Sequence, residues 1–220
     1  MEEEDFGDIS ALDEAALGEL ILKRDEDERT VFHKLCSAGR HEDIRIVIER
    51  CHDEAARCAT MCDDGGWAPL HSAVSAGHAS VANQLVQDLD APIDARNSSG
   101  CSALHYAASK SRIGLLKMLL ERKADVFVRD NGGSTFLHRA VSSGNPKIVA
   151  LALDKRHCTG SLIEQQDRAG QTALHVAAQL GFFDAVEQLV DAGASKEALD
   201  KEEKRPADYA RGEIKELLQS

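Results

Sequence analysis

A short pattern recurs five times along this chain and constrains what the chain can fold into. "RTVFHKLCSAGR" begins at Arg29, "WAPLHSAVSAGH" at Trp67, "CSALHYAASKSR" at Cys101, "STFLHRAVSSGN" at Ser134 and "QTALHVAAQLGF" at Gln171. The shared histidines are His33, His71, His105, His138 and His175, with spacings of 38, 34, 33 and 37 residues. A degenerate sixth copy, "RPADYARGEI", starts at Arg205, and its Asp208 lies 33 residues after His175. A unit this short cannot bury a core by itself. The copies must stack, and the end copies must tolerate water on one side.

Each copy carries the physics of a helix pair. In the third, Ala103, Ala107 and Ala108 let a short inner helix approach its neighbours closely, and Leu104 is directed into the stack. Gly39, Gly77, Gly144 and Gly181 stand where the inner helix ends and a left-handed residue is favoured. Ser111 takes that place in the third copy. The outer helix "IGLLKMLLE" predicts an apolar stripe of Ile113, Leu116, Leu119 and Leu120. The turns "DDGGW", "NSSGC", "DNGGS" and "DRAGQ" open on Asp or Asn and supply Gly for positive φ. A T-x-L-H-x-A core at this period is the ankyrin-repeat signature. The expected fold is an all-α ankyrin-repeat solenoid of about six to seven repeats with β-hairpin-like turn tips. Residues 1–28 read as an acidic N-terminal segment and truncated capping repeat, with Leu12, Ala16, Leu20 and Leu22 on one outer-type helix. Residues 29–220 read as a single stacked domain, closed by a C-terminal cap from Pro206 to Ser220.

The histidines occur one per copy, so they are spaced along the stack and do not converge on a centre. Each is expected to join the hydroxyl of Thr30, Ser102, Thr135 or Thr172 to a loop carbonyl. Ala68 leaves the second copy without that hydroxyl. No phosphate-cradling glycine loop, G-x-S-x-G or H-E-x-x-H is present, so neither catalytic residues nor a cofactor are expected. Cys51, His52, Cys58 and Cys62 are zinc-type donors, and a metal-binding or redox module would use them. Their spacing is not the paired C-x₂-C type, and it also fits a buried stripe on a lengthened outer helix, so no metal is expected. The second long spacing, around "DKRHCTGSLIEQQ" with His157 and Cys158, reads as a longer outer loop. The six cysteines, without a signal peptide, read as reduced thiols. No apolar run approaches a membrane span, and a soluble, intracellular protein is expected. The net charge of −12 is uneven, with 12 acids and three bases in residues 1–29. That argues against nucleic acid as partner. It suits either a basic protein surface or a solvated tail.

A stack of this kind offers a partner its turn tips and the open side of its inner helices. The tip residues include Asp27, Arg29, Asp64 and Trp67, and the inner-helix residues include Lys34, Tyr106, Lys110 and Arg139. Trp67, the one tryptophan, has the character of an interface anchor at an exposed tip.

Three stretches, "DDGGWAPLHSAVSAGH", "NSSGCSALHYAASKSR" and "DKEEKRPADYA", resemble the gankyrin family, ankyrin-repeat assembly chaperones of the proteasome regulatory particle. The resemblance covers about residues 27–220. It implies a monomer of the cytoplasm and nucleus whose groove holds the C-terminal domain of one base ATPase subunit. It carries over contact roles to Asp27 and Arg29, to Asp64 and Trp67, and to Lys110. The alternative is an ankyrin adaptor or cyclin-dependent-kinase-type inhibitor, with cell-cycle kinases as partners. The chain also departs from the family. Where mammalian members carry L-x-C-x-E for retinoblastoma-type partners, "LHVAAQLGF" places Ala178 and Leu180 at the Cys and Glu positions. Binding by that motif is not expected, and without the glutamate the C-terminal half of the ATPase contact is not expected to carry over from the family. The two long copies depart from the family's near-even spacing.

Overall fold

The computed structural model describes residues 8–220, which group into two compact units divided between Ser98 and Ser99. The first seven residues of the expected acidic N-terminal segment lie outside the described residues.

The first unit begins with a 3-10 turn, Ile9–Ala11, followed by α1 (Glu14–Leu22), α2 (Val31–Ala38), α3 (His41–Arg50), α4 (His52–Thr60), α5 (Pro69–Ala76) and α6 (Ala79–Asp88). Inner helix α2 packs on inner helix α5, and outer helix α3 on outer helix α6. Phe32, Leu35, Ile44, Val47, Leu70 and Leu85 form the core between them. Helix α1 does not bury the expected stripe. Leu17, Gly18 and Ile21 are inside, Ala16 is exposed, and Leu12, Leu20 and Leu22 are half-buried. The Asp13 carboxylate accepts from the Ala16 amide at 2.8 Å, which starts the helix at Glu14 and sets its phase.

The extra length in the first copy is likewise not one lengthened helix. The chain breaks at Cys51 (φ −135°, ψ 53°) and restarts as α4. That helix lies on α1 and buries Ala55, Cys58 and Ala59. The thiol of Cys51 donates to the Glu14 carbonyl at 3.3 Å, and that of Cys58 to the Ile21 carbonyl at 3.5 Å. Cys62 is exposed beyond the helix end. The insertion thus adds a second helix against α1, with Cys51 and Cys58 turned to the two ends of α1 and Cys62 left exposed.

The second unit runs α7 (Ala103–Ser109), α8 (Ile113–Glu121), α9 (Phe136–Ser142), α10 (Pro146–Ala152), α11 (Gly160–Ile163), α12 (Ala173–Leu180), α13 (Phe183–Asp191), α14 (Pro206–Tyr209) and α15 (Gly212–Gln219). Helices α7, α9, α12 and α14 pack in series as an inner row, and α8, α10, α13 and α15 as an outer row. On α8, Ile113 is 41% exposed and Leu115 joins Leu116, Leu119 and Leu120 inside. Ile113 is the first helical residue, next to the Arg112 cap, so the face that meets the core begins two residues later. The second insertion is more than a loop. Cys158, Leu162 and Ile163 are buried, and α11 forms around them.

No strand forms at the tips among the described residues. Each tip is a tight turn, as where the Asp130 amide donates to the Ser134 carbonyl and the Gly133 amide to the Asp130 carbonyl, both at 2.9 Å. Gly133 takes φ +80°, which a side chain would resist. One isolated bridge, Arg24 to Thr30, is the nearest approach to a ladder.

Candidate partner-binding surfaces

Two side-chain devices hold the tips in place. The first is the histidine of each copy. The Thr30 amide donates to Nδ1 of His33 at 3.2 Å, so that nitrogen is an acceptor. The proton therefore sits on Nε2, which donates to the Trp67 carbonyl at 3.0 Å. The Thr30 hydroxyl also lies 2.7 Å from Nδ1. His71 bonds the Ala95 carbonyl at 2.9 Å, with the Ala68 amide on its Nδ1 at 3.1 Å. His105, His138 and His175 reach the carbonyls of Ser134, Gln171 and Lys204, each at 3.1 Å. Every histidine ties the start of its own helix to the next tip. Burial holds His33 and His138 below the ordinary imidazole range.

The second device is the acid that opens the turn. Oδ1 of Asp130 accepts from the amides of Gly132 at 2.8 Å and Ser134 at 2.9 Å. Asp25, Asp167 and Asp200 repeat this pattern with the amides two and four residues on. In Asp25, Asp130 and Asp200 the other oxygen turns to the residue nine positions later, whereas the position nine after Asp167 is Val176. Lys34 Nζ lies 2.9 Å from Oδ2 of Asp25. Arg139 Nε donates to Oδ2 of Asp130 at 3.0 Å, with Nη2 on the same oxygen. The Tyr209 hydroxyl donates to Oδ2 of Asp200 at 2.6 Å. At Asp63 the position nine later is Ser72, and Oδ2 faces Arg29 Nε of the preceding tip at 4.0 Å.

These contacts set the local electrostatics. Burial works against the Asp130 charge, but the Arg139 hydrogen bond and the Ser134 and Gly132 amides outweigh it, so the carboxyl stays below its usual range. The Tyr209 hydroxyl, aided by the Lys204 and Glu202 amides, lowers Asp200 to about 2. Lys34 does the same in direction for Asp25.

The residues singled out in the sequence fall into two sets. In the first unit, Asp27 and Asp64 are exposed on adjoining tips, joined by the Asp64 amide donating to the Asp27 carbonyl at 3.1 Å. Arg29 is half-buried beside them. Trp67 is also half-buried, and not the open anchor expected. Its ring stands edge-on to His71, with centroids 6.0 Å apart and an interplanar angle of 62°. In the second unit, Tyr106 is half-buried on α7 and Lys110 is exposed at that helix's end, its amide donating to the Tyr106 carbonyl at 3.0 Å. Arg139 lies on α9, which packs against α7, and its guanidinium is committed to Asp130. Arg139 and Lys34 are thus turn anchors as much as surface charges. Asp130, Asp200 and Tyr209 were not singled out, although an Asp followed nine residues later by Lys, Arg or Tyr is visible in the chain. Among the described residues, no group of three or more His, Cys, Asp or Glu side chains gathers as a metal site would need.

Four overlapping stretches, 7–97, 59–130, 84–161 and 104–200, match the family model described as ankyrin repeats (3 copies). The chain belongs to the ankyrin-repeat family, whose fold is a scaffold for protein interaction. Its relatives narrow this to the gankyrin-like p28 type. The probable 26S proteasome regulatory subunit p28 of Saccharomyces cerevisiae is 30% identical over 198 residues, covering 88% of this chain and 84% of that protein. The transient receptor potential cation channel subfamily A member 1 of Homo sapiens is 33% identical over 132 residues, which is 59% of this chain but 11% of that protein. The crystal structure of the ankyrin repeat domain of Bcl-3, a member of the IkappaB protein family, superposes with a TM-score of 0.81. It covers 94% of this chain and 93% of that one at 22% identity, a likeness of fold.

Proposed function

We propose that this protein is an assembly chaperone of the proteasome regulatory particle, binding the C-terminal domain of one base ATPase subunit through its tips and inner helices. The observation that carries this reading is the similarity to p28 across 88% of the chain, taken with the open charges Asp27, Asp64 and Lys110. Both signs are offered, acids on the tips of the first unit and a lysine on α7 of the second. A partner with matching basic and acidic patches is steered and set in register by such charges. The tips are preorganised by their turn carboxylates and histidines, so little ordering cost remains on binding. Holding the ATPase domain would keep that subunit from docking early on the proteolytic core. The same reading puts the protein in the cytoplasm and nucleus.

Titration calorimetry against the isolated C-terminal domains of the regulatory-particle ATPases tests this. One-to-one binding to a single subunit is expected, weakened about tenfold or more by Trp67→Ala or Lys110→Glu. Absence of binding to every domain would overturn the reading.

A further inference from the structure

The left-handed glycines Gly39, Gly144 and Gly181 follow inner helices α2, α9 and α12, and what lies over them differs between copies. Gly39 has φ +72°, and a Cβ there would fall 2.4 Å from Nδ1 and 2.6 Å from Cε1 of His78. The imidazole therefore rests on the bare Cα, steadied by Nε2 against the Ser37 carbonyl at 3.0 Å. Over Gly144 (φ +67°) lies the phenyl ring of Phe182, its nearest atom 3.1 Å from the Cβ position. In both cases the ring belongs to the residue just after the corresponding glycine of the next copy, His78 after Gly77 and Phe182 after Gly181.

Gly181 has the same conformation, φ +74°, yet nothing lies within 4 Å of its Cβ position. The last copy supplies the reason. In register with Gly181 and Phe182 stand Ile214 and Lys215, and the early start of α15 at Gly212 places both inside that helix. No ring reaches back. An open cavity of about 710 Å³ remains, its lining including Leu180, Gly181, Asp208, Tyr209, Arg211 and Ile214. Leu180 is 48% exposed beside it and Phe183 is 38% exposed just beyond. Arg211 is exposed, and its guanidinium makes no hydrogen bond or ion pair among the described residues. The Asp208 carboxylate is already engaged by the Arg205 amide at 2.8 Å.

We propose that the seat over Gly181 receives an aromatic ring from a partner protein, with an adjacent carboxylate of that partner on Arg211. The two filled seats show what chemistry fits: a flat ring laid on a residue without a side chain. Leu180 extends the apolar floor, and the unengaged guanidinium selects an acidic neighbour. The site is independent of the tip residues and of which protein they hold.

The test uses the whole chain, ¹⁵N-labelled, and three capped peptides: acetyl-Glu-Phe-Glu-amide, acetyl-Glu-Ala-Glu-amide and acetyl-Lys-Phe-Lys-amide. The first should give saturable amide shifts at Leu180, Gly181, Arg211 and Ile214, with the other two at least tenfold weaker. Arg211→Glu, a surface change, should reverse the preference between the two phenylalanine peptides. Shifts that fail to saturate, or that are equal for the alanine peptide, would overturn the proposal. Concentration-dependent shifts of the same amides without peptide would also overturn it, assigning the seat to a second copy of this chain.

Discussion

Asp130 shows how one residue can be both a turn former and a fixed charge. Its side chain is 1% exposed, Oδ1 is used by two amides, and Oδ2 depends on Arg139. Arg139→Leu leaves that oxygen buried without its cation and should cost about 1–3 kcal/mol in urea unfolding. Lys110→Glu should change stability by less than about 0.5 kcal/mol, because nothing in the fold depends on its ammonium. Equal effects of the two would show that Arg139 is only a surface charge. The contrast was not legible from residue type, since both are cations on inner helices. It follows from the register of the tip against the helix, nine residues, which becomes visible once one such pair is seen in space. Trp67 has the same lesson: its place at a tip was readable, but its rest against His71 depends on the turn's bend.

At the level of elements, the recurring motif made the inner helices and their glycine ends legible, because small residues and a left-handed stop are local requirements. Helix α4 was not legible. Apolar positions one and two turns apart fit one long helix or two short ones equally, and the break at Cys51 answers to the packing of α4 on α1. Ile113 failed similarly, since its place in the first turn and not its hydropathy decides its exposure. The glycine ends allow a sharper test. Gly181→Ala should cost about 1 kcal/mol, the strain of a side chain at positive φ with open space around it. Gly39→Ala adds a collision with the His78 ring and should cost a further 1–3 kcal/mol or so. Thermal and urea unfolding of both variants would decide it. Equal losses would mean that the imidazole moves aside freely.

Across the whole molecule the histidine bonds repeat in both units, so acid should act on all of it. Burial depresses His33 and His138, which means the folded state binds fewer protons than the unfolded one. Their contribution is whole above the ordinary imidazole value near 6.5 and is lost as pH falls below it toward the depressed folded values. Each can remove up to about 1.4 kcal/mol per pH unit in that window. Asp25, Asp130 and Asp200 are held below the ordinary carboxylate range, so urea midpoints at pH 7.5, 6.5 and 5.5 isolate the histidines. A flat profile there would contradict the tautomer assigned above.

Binding is the other property of the whole chain. Asp27, Asp64 and Lys110 are exposed, so their effect on a charged partner acts through solvent and is screened beyond about 10 Å at 0.1 M salt. If the ATPase domain is held as proposed, its Kd should rise several-fold between roughly 0.05 and 0.5 M sodium chloride, mostly through a slower on-rate. Lys110→Glu should weaken binding and also reduce that salt dependence, because it removes one of the attractive pairs being screened. Half-buried Trp67 behaves differently: Trp67→Ala should raise the off-rate and leave the salt slope unchanged. Stopped-flow association with each variant separates these effects. A salt slope untouched by Lys110→Glu would place that lysine outside the contact and leave recognition to the tips of the first unit.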